Sequence, residues 1–240
     1  MLTKLGRAAT LGVGSLGVVV LLASNAHASE IWDGDASRGT GVFGNIGGEC
    51  ASPGNVTAVD DPAQGRVWRF NKPSGLNRCE ARGIKVGGKK YAFGNNSTYY
   101  LGWRSKLSST TNNNATFQWK SYQNHTQNFP IVLKMVSGKL TMLQRQPGGR
   151  EYFPWSRSIS ANSWHHIVLG IHTSSATTGG WVELYFDGVQ QTFSNGQKRW
   201  ACRSWDSYND PKWGVYGARG NTVSNFLDGL KIGTTYADVR

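Results

Sequence analysis

Hydrophobic and polar side chains alternate at a period of two along several short stretches, and this pattern limits the possible folds more than any other feature of the chain. In residues 115–122, with the sequence ATFQWKSY, Phe117 and Trp119 point to one side of an extended backbone. Gln118 and Lys120 point to the other side. Because helical periodicity is almost absent, the pattern predicts β-strands that each bury one face.

Turn-forming residues separate the alternating stretches. A serine and a glycine at 137–138 separate residues 131–135 from residues 139–143, which predicts a hairpin. Further strands are predicted in the same way at residues 165–172, 181–186 and 225–232. Many short strands joined by glycine and asparagine turns favour a sandwich of two antiparallel sheets.

Two segments favour one particular sandwich. Residues 163–169, SWHHIVL, and residues 182–188, VELYFDG, resemble the back-sheet pattern of concanavalin-like jelly rolls. The resemblance implies an all-β, concanavalin-like β-jelly roll. It implies no function by itself, because lectins, glycosidases and lyases share this fold.

Residues 1–28 have the pattern of a secretory signal peptide. Basic residues near the start precede an apolar stretch at residues 11–23, and the small-residue segment 26–28, AHA, offers a cleavage site. We therefore expect a secreted, extracellular protein with no membrane attachment after cleavage. Residues 29–240 are expected to form a single domain that acts as a monomer.

The formal net charge of the chain is +12, and such a surplus attracts polyanions. A secreted protein meets acidic polysaccharide more readily than nucleic acid. Acidic polysaccharide is therefore the expected partner, and no nucleic-acid partner is expected.

The cysteines are Cys50, Cys79 and Cys202, and an oxidising compartment predicts one disulfide and one unpaired thiol. We favour a Cys50–Cys79 pair, which would tie the N-terminal segment to the first long strand. Neither CxxC nor HExxH occurs, so no zinc site and no required cofactor are expected. Structural calcium at an acidic edge, such as Asp60-Asp61 or Asp228, remains open.

Three segments would place rows of polar side chains on one face of a sheet. They are RCEAR at residues 78–82, QWK at residues 118–120 and KWGVY at residues 212–216. In each segment the polar residues recur at period two, and the apolar residues share the opposite face. At about 3.3 Å per residue, Lys212 and Tyr216 stand roughly 13 Å apart, a spacing that suits a few sugar rings.

This set of side chains suits β-elimination beside a uronate. The C5 proton becomes acidic only when the adjacent carboxylate is neutralised, so cations and donors directed at that carboxylate supply much of the catalysis. A base must then take the proton, and an acid must protonate the leaving O4. Arginine, lysine and glutamine suit the first task. A tyrosine in a cationic groove suits the others, because nearby positive charge favours its ionised form.

The order RxExR, QxK and KWGxY resembles the jelly-roll polysaccharide lyases. The similar groups are the heparin lyase I-like and glucuronan lyases and, above all, small secreted actinobacterial hyaluronate lyases. The resemblance extends over essentially all of residues 29–240 and implies a polysaccharide lyase of the hyaluronate lyase type.

Matched position by position, Tyr216 corresponds to the family's catalytic tyrosine, Lys212 to its companion lysine, and Gln118 to the glutamine near the substrate carboxylate. Together with the predicted groove, this gives a catalytic set and a substrate-binding set. The catalytic set is Tyr216, Gln118, Lys120 and Arg78. The substrate-binding set is Arg82, Glu80, Lys134, Lys212 and His125.

One position departs from the heparin lyase pattern, which has histidine where this chain has Lys120. In glucuronate the C5 hydrogen and O4 lie on the same side, so one tyrosine can take the proton and return it. Iduronate places them on opposite faces and requires a second group. We therefore expect a glucuronate polymer, hyaluronan first, with glucuronan, heparin-type chains and alginate as alternatives. His125, in a polar loop, is the alternative base.

A non-catalytic carbohydrate-binding module or lectin is the rival interpretation, in which Tyr216 lines a binding groove and Glu80 belongs to a salt-bridge ladder. A glycoside hydrolase would require two carboxylates about 5–10 Å apart. Only Glu80 lies in the predicted groove. His165 and His166 are expected to be structural, because they open a core strand.

Overall fold

The structure is a computed structural model that describes residues 29–122 and 127–240, in which seventeen β-strands form two antiparallel sheets. The all-β jelly-roll sandwich expected from the sequence is confirmed. The predicted signal peptide and His125 lie outside the described residues. No helix within those two described ranges is long and apolar enough to cross a membrane.

One sheet, here called the back sheet, contains nine strands, with the order β14-β13-β12-β7-β17-β4-β3 and with β1 on β17 and β15 on β13. Its strands are β1 (Glu30–Asp33), β3 (Asn55–Asp61), β4 (Gly65–Lys72), β7 (Thr98–Leu107), β12 (Trp164–His172), β13 (Gly180–Phe186), β14 (Val189–Gln190), β15 (Trp200–Cys202) and β17 (Val223–Gly233).

The other sheet, here called the front sheet, contains eight strands, with the order β11-β10-β9-β8-β16-β5-β2 and with β6 on β5. Its strands are β2 (Phe43–Asn45), β5 (Arg78–Val86), β6 (Lys89–Lys90), β8 (Asn114–Tyr122), β9 (Ile131–Val136), β10 (Lys139–Arg145), β11 (Glu151–Ser158) and β16 (Tyr208–Gly217). Short 3-10 helices in the described chain are Ala36–Arg38, Thr40–Val42, Pro147–Gly149 and Tyr236–Asp238.

The strands predicted from alternation are present with small changes at their ends. β9 and β10 form the predicted hairpin, and its turn residues Ser137 and Gly138 have φ values of 49° and 76°. Both residues of such a tight turn require positive φ, which glycine adopts without strain. β12 pairs with β13, as the alternating pattern indicated.

Aromatic side chains from both sheets fill the space between them. Trp213 on β16 lies with its ring centroid 6.2 Å from that of Trp103 on β7, and 5.7 Å from that of Trp32 on β1. Phe117 stacks on Trp103 at 4.9 Å. Burying each large apolar side chain contributes about 1.5–3 kcal/mol, so this cluster holds the front sheet rigidly on the back sheet.

β-Bulges interrupt the regular strand pairing in the part of the front sheet that carries the polar segments. The register shifts between Trp213 and Tyr216 against β8, and between Ala115 and Phe117 against β9. Gly214 has a φ of 141°, and a Cβ at this position would collide with the carbonyl oxygen of Cys79. The sequence pattern predicted the faces of these strands but not the bulges, which bend a strand and re-aim its side chains.

Candidate active site

The three polar segments lie on neighbouring strands, because β8, β16 and β5 are adjacent in the front sheet. Lys212 on β16 stands opposite both Gln118 on β8 and Arg82 on β5. Tyr216 stands opposite Arg78. The outer face of these three strands, between Tyr216 and Tyr208, is called the groove below.

Glu80 and Lys212 lie beneath the groove rather than on its surface, since each is only 2% exposed. Nζ of Lys212 is 2.8 Å from Oε2 of Glu80, and Nε2 of Gln118 donates to Oε1 of Glu80 at 2.5 Å. Burial raises the pKa of Glu80, and the Lys212 charge and the Gln118 hydrogen bond oppose that rise. Both residues were predicted to bind substrate, but this burial suits them to holding other side chains in place.

Glu49 is a central residue of the site that the sequence did not reveal. Its carboxylate lies 2.7 Å from Nζ of Lys212, 3.0 Å from Nη1 of Arg78 and 3.4 Å from Nη1 of Arg82. Burial by itself would raise the pKa of Glu49, but hydrogen bonds and charge from Lys212 and Arg78 hold that pKa below its ordinary value. Glu49 is therefore ionised at neutral pH and links cations from two strands.

The disulfide explains how a loop residue reaches the groove. Cys50 is bonded to Cys79, the pair that the sequence favoured, and Cys79 lies between Arg78 and Glu80 on β5. The backbone N–H of Glu80 donates to the carbonyl oxygen of Glu49 at 3.0 Å. One feature of the sequence could have identified Glu49 as a site residue. It directly precedes Cys50, whose expected disulfide partner, Cys79, lies inside the RCEAR segment.

Tyr216 lies at one end of the groove, on a small apolar cluster formed with Ala115, Val132 and Leu143. The guanidinium carbon of Arg78 lies 4.8 Å from the centroid of its ring. Tyr216, Gln118 and Lys134 line one cavity of about 260 Å³. Lys134 is half-buried there, and its Nζ donates to Oδ1 of Asn113 at 2.9 Å. These predicted site residues therefore surround a common space.

Lys120 lies farther along β8, and in the described structure its ammonium donates hydrogen bonds to neutral oxygen atoms and lies 5.1 Å from the ring centroid of Tyr122. Nζ donates to the carbonyl oxygens of Asn128 at 3.1 Å and Ser121 at 3.2 Å, and also to the side-chain oxygen of Asn128. Burial, followed by the charges of Lys212 and Arg78, lowers the pKa of Lys120 to about 8. Since all three partners are acceptors, the structure corresponds to the protonated ammonium.

An aromatic pair marks the other end of the groove. Tyr122 and Tyr208 stack with ring centroids 5.1 Å apart, and the Arg82 guanidinium lies 5.2 Å from the Tyr122 centroid. Burial raises the pKa of Tyr122, although the charge of Arg82 opposes the rise. Lys90 pairs with Asp210 at 2.8 Å beside this stack. The groove therefore has an aromatic side chain with a neighbouring cation at each end.

The balance of charge in the described part of the groove is positive. Its cations are Arg78, Arg82, Lys90, Lys120, Lys134 and Lys212, and its carboxylates are Glu49, Glu80, Asp210 and Glu151, which lines the Tyr216 cavity and pairs with Arg145. Each of these carboxylates is held by at least one cation. A glycoside hydrolase instead requires a pair of carboxyl groups facing the sugar, and Glu49 and Glu80 do not have that environment.

Other residues considered from the sequence lie away from the groove. His165, on the back sheet, has Nδ1 3.0 Å from Oδ2 of Asp187 and stacks on Phe186. At the predicted calcium positions, Asp61 pairs with Lys106 and Asp228 pairs with Arg104. Within residues 29–122 and 127–240, no group of three or more histidine, cysteine and acidic side chains is placed to hold a metal. Calcium binding stays a prediction.

The family model described as polysaccharide lyase matches residues 55–231, which is more than half of the chain and includes all three polar segments. This chain belongs to that polysaccharide lyase family. Among curated protein sequences, no relative matches it.

Solved structures resemble this polysaccharide lyase in fold. Alginate lyase AlgAT5 from polysaccharide lyase family 7 is 13% identical with a TM-score of 0.52, over 77% of this chain and 84% of that one. A family 7 alginate lyase, A1-II′, in complex with the substrate GGMG is 12% identical with a TM-score of 0.54, over 74% and 81%. The carbohydrate esterase vb_24B_21 from Shiga toxin-encoding bacteriophage phi24B is 14% identical with a TM-score of 0.57, over 87% and 99%. At these identities the similarity establishes the fold alone.

The buried ion pairs predict a large stability effect at Lys212. Replacing Lys212 with alanine leaves the Glu49 and Glu80 carboxylates without their shared buried cation, so we expect a loss of about 3–5 kcal/mol in the free energy of unfolding. Urea denaturation followed by tryptophan fluorescence measures it. The matched control is Lys231→Ala, which removes an exposed pair with Glu30 at 3.0 Å and should cost less than about 1 kcal/mol. Equal losses in the two variants would contradict the structural role of Lys212.

Proposed function

We propose that this polysaccharide lyase cleaves a uronate polymer by β-elimination, with Tyr216 moving the proton. The observation that carries the proposal is the single cavity bordered by the Tyr216 phenol, the Gln118 amide and Lys134, with the Arg78 guanidinium over the tyrosine ring. It combines a proton-transfer group with donors and cations that stabilise an ionised sugar intermediate.

In the proposed reaction, the uronate carboxylate is neutralised by the cations and donors beside Tyr216. Tyr216, as its phenolate, takes the C5 proton, a double bond forms between C4 and C5, and the bond from C4 to O4 breaks. The same phenol then returns the proton to O4 of the leaving sugar. Gln118 and Arg78 stabilise the negative charge that grows on the carboxylate. Lys212 and Glu80 hold Gln118 from below.

The proposed substrate is alginate, at its mannuronate blocks, ahead of hyaluronan. A single proton-transfer residue requires the C5 hydrogen and O4 on the same side, and mannuronate meets this requirement as glucuronate does. The fold similarity to two alginate lyases supports alginate more than the hyaluronan expected from the sequence. Glucuronan and hyaluronan remain candidates with the same stereochemistry. Secretion and action as a monomer on this polymer are part of the proposal.

A panel of polymers tests the reaction and the substrate together. Polymannuronate, polyguluronate, hyaluronan, glucuronan and heparin are each incubated with the purified protein, and the ultraviolet absorbance of unsaturated ends is followed. We expect absorbance to rise with polymannuronate, because elimination leaves a double bond conjugated to the carboxylate. A rise with hyaluronan alone would support the earlier substrate expectation. Binding to several polymers without any unsaturated product would support the carbohydrate-binding module instead.

Removing the phenolic hydroxyl of Tyr216 should abolish turnover. Tyr216→Phe is expected to lower kcat by about a hundredfold or more, because the proton loses both its acceptor and its donor. Polymer binding should stay close to normal, since the ring and its Arg78 contact remain. Initial rates of double-bond formation and a separate binding isotherm measure the two effects.

Two control variants make the Tyr216 result specific. Tyr208→Phe removes a hydroxyl from the same strand at the far end of the groove, and we expect little change in kcat. His125→Ala should cost less than about tenfold in kcat, or 1.4 kcal/mol. If a folded His125→Ala variant is as inactive as Tyr216→Phe, His125 is the base and Tyr216 keeps only the role of acid.

The pH profile tests the charge of Lys120. Its pKa is lowered to about 8, and as a charge-stabilising residue it acts in the protonated form. We therefore expect kcat/KM to fall as the pH rises through about 8, and Lys120→Arg to move this decline to higher pH because arginine stays charged. Rates measured between about pH 6 and 10 follow it. A decline that stays at the same pH in Lys120→Arg would show that Lys120 is not the group responsible for it.

A further inference from the structure

One carboxylate, that of Glu49, holds three of the groove cations. We propose that Glu49 is a built-in counter-charge that sets the affinity of the groove for the substrate carboxylate and orients Arg78 and Arg82. This inference rests on the proposed function, because it concerns how the same cations meet a uronate. It makes Glu49 a positioning and affinity-determining residue rather than a catalytic one.

The contacts of Glu49 match those that a bound uronate would need. Arg78 and Lys212 approach one carboxylate oxygen at 3.0 and 2.7 Å, and Arg82 approaches the other at 3.4 Å. A carboxylate can accept about four hydrogen bonds, and each guanidinium has five N–H donors. Arg78 therefore has one side of its fork fixed by a hydrogen bond to Glu49, Arg82 is held there by an ion pair, and both arginines keep unused donors.

The exposure of the cations shows which donors remain for substrate. The side chains of Arg78 and Arg82 are 38% and 33% exposed, whereas that of Lys212 is 2% exposed. Lys212 is thus committed to Glu49 and Glu80. Glu49 partly neutralises the charges of Arg78 and Arg82, and the exposed part of each guanidinium faces the groove. The arginines therefore still attract a uronate, but more weakly than unpaired arginines would.

Glu49 is anchored so that substrate cannot easily displace it. The backbone N–H groups of Glu49 and Cys50 both donate to the carbonyl oxygen of Ile46, at 2.8 and 2.9 Å. The carbonyl oxygen of Glu49 accepts from the N–H of Glu80, and Cys50 is disulfide-bonded to Cys79. The negative charge therefore stays under the arginines during turnover, so it lowers the affinity for polymer and favours release of product.

The test compares Glu49→Gln with Glu30→Gln in the full chain. Glutamine keeps the shape of the side chain and removes one negative charge beside three cations. We expect KM to fall about fivefold or more at low salt, because charge interactions at this distance are strong in a partly buried site. The salt dependence of KM should become steeper. The kcat value should fall, since Arg78 and Arg82 lose their ionic anchor. Glu30→Gln removes the same charge from the back sheet, and it should leave KM, the salt dependence of KM and kcat unchanged.

A second variant separates charge from folding. Glu49→Asp keeps the negative charge on a shorter side chain, so it should retain the wild-type salt dependence of KM even if its stability falls. The inference is overturned if Glu49→Gln is folded and has the KM and salt dependence of Glu30→Gln.

Direct binding distinguishes failure of this inference from failure of the lyase proposal. Fluorescently labelled polymannuronate and hyaluronan fragments are titrated into wild-type protein and into Glu49→Gln. If no polymer yields unsaturated ends but Glu49→Gln binds fragments more tightly, the lyase proposal is wrong and the role of Glu49 stands. If wild-type protein is an active lyase and Glu49→Gln binds no more tightly, the role of Glu49 is wrong and the lyase proposal stands.

Discussion

The buried ammonium of Lys212 is the interaction on which the rest of the groove depends. It lies between the Glu49 and Glu80 carboxylates, and those two contacts connect a loop, β16 and β5 beneath the surface. Burying charges is costly, and it is tolerated only where each charge is paired and its remaining atoms are hydrogen-bonded. Gln118 completes the pairing by donating to Glu80. The amide is thereby fixed on β8 in the cavity beside Tyr216, so a stability network and a candidate catalytic residue share the same atoms.

The aromatic core and the polar groove are two faces of the same strands, which explains the geometry of the site. Trp213 packs between the sheets, and its neighbour Lys212 lies on the opposite side of β16. The bulge between Trp213 and Tyr216 bends β16 between these two residues and so changes the direction in which the following side chains point. Gly214 allows β5 to approach at that point. A rigid core thus supports residues that must be positioned closely for proton transfer.

Local periodicity predicted much of this arrangement, and long-range contacts account for what it missed. Alternation with a period of two correctly assigned Gln118 to the groove and Trp119 to the core. The face that a strand side chain takes depends only on its position along the strand, so the local sequence is enough to predict it. The alternation shows which face a side chain takes but not how deeply it is buried, so it did not predict the burial of Glu80. Glu49 has no periodic signal, since it lies in a turn and is held beside β5 by the Cys50–Cys79 disulfide and by the hydrogen bond from the Glu80 N–H. Bulges also escaped prediction, because they arise from the register between strands.

Lys120 differs from the other groove cations in a way that bears on the reaction. Arg78, Arg82 and Lys212 all contact Glu49, so their charges are partly neutralised within the protein. In the part of the chain that the structure describes, the hydrogen bonds of Lys120 go to carbonyl and amide oxygens, and its ammonium lies 5.1 Å from the ring centroid of Tyr122. Its charge is therefore not neutralised by a paired carboxylate there, and burial, followed by the like charges of Lys212 and Arg78, lowers its pKa. In the proposed reaction a lysine in this state acts by charge stabilisation, so both proton transfers are assigned to Tyr216, and the proposed substrates are uronates whose C5 hydrogen and O4 lie on one side.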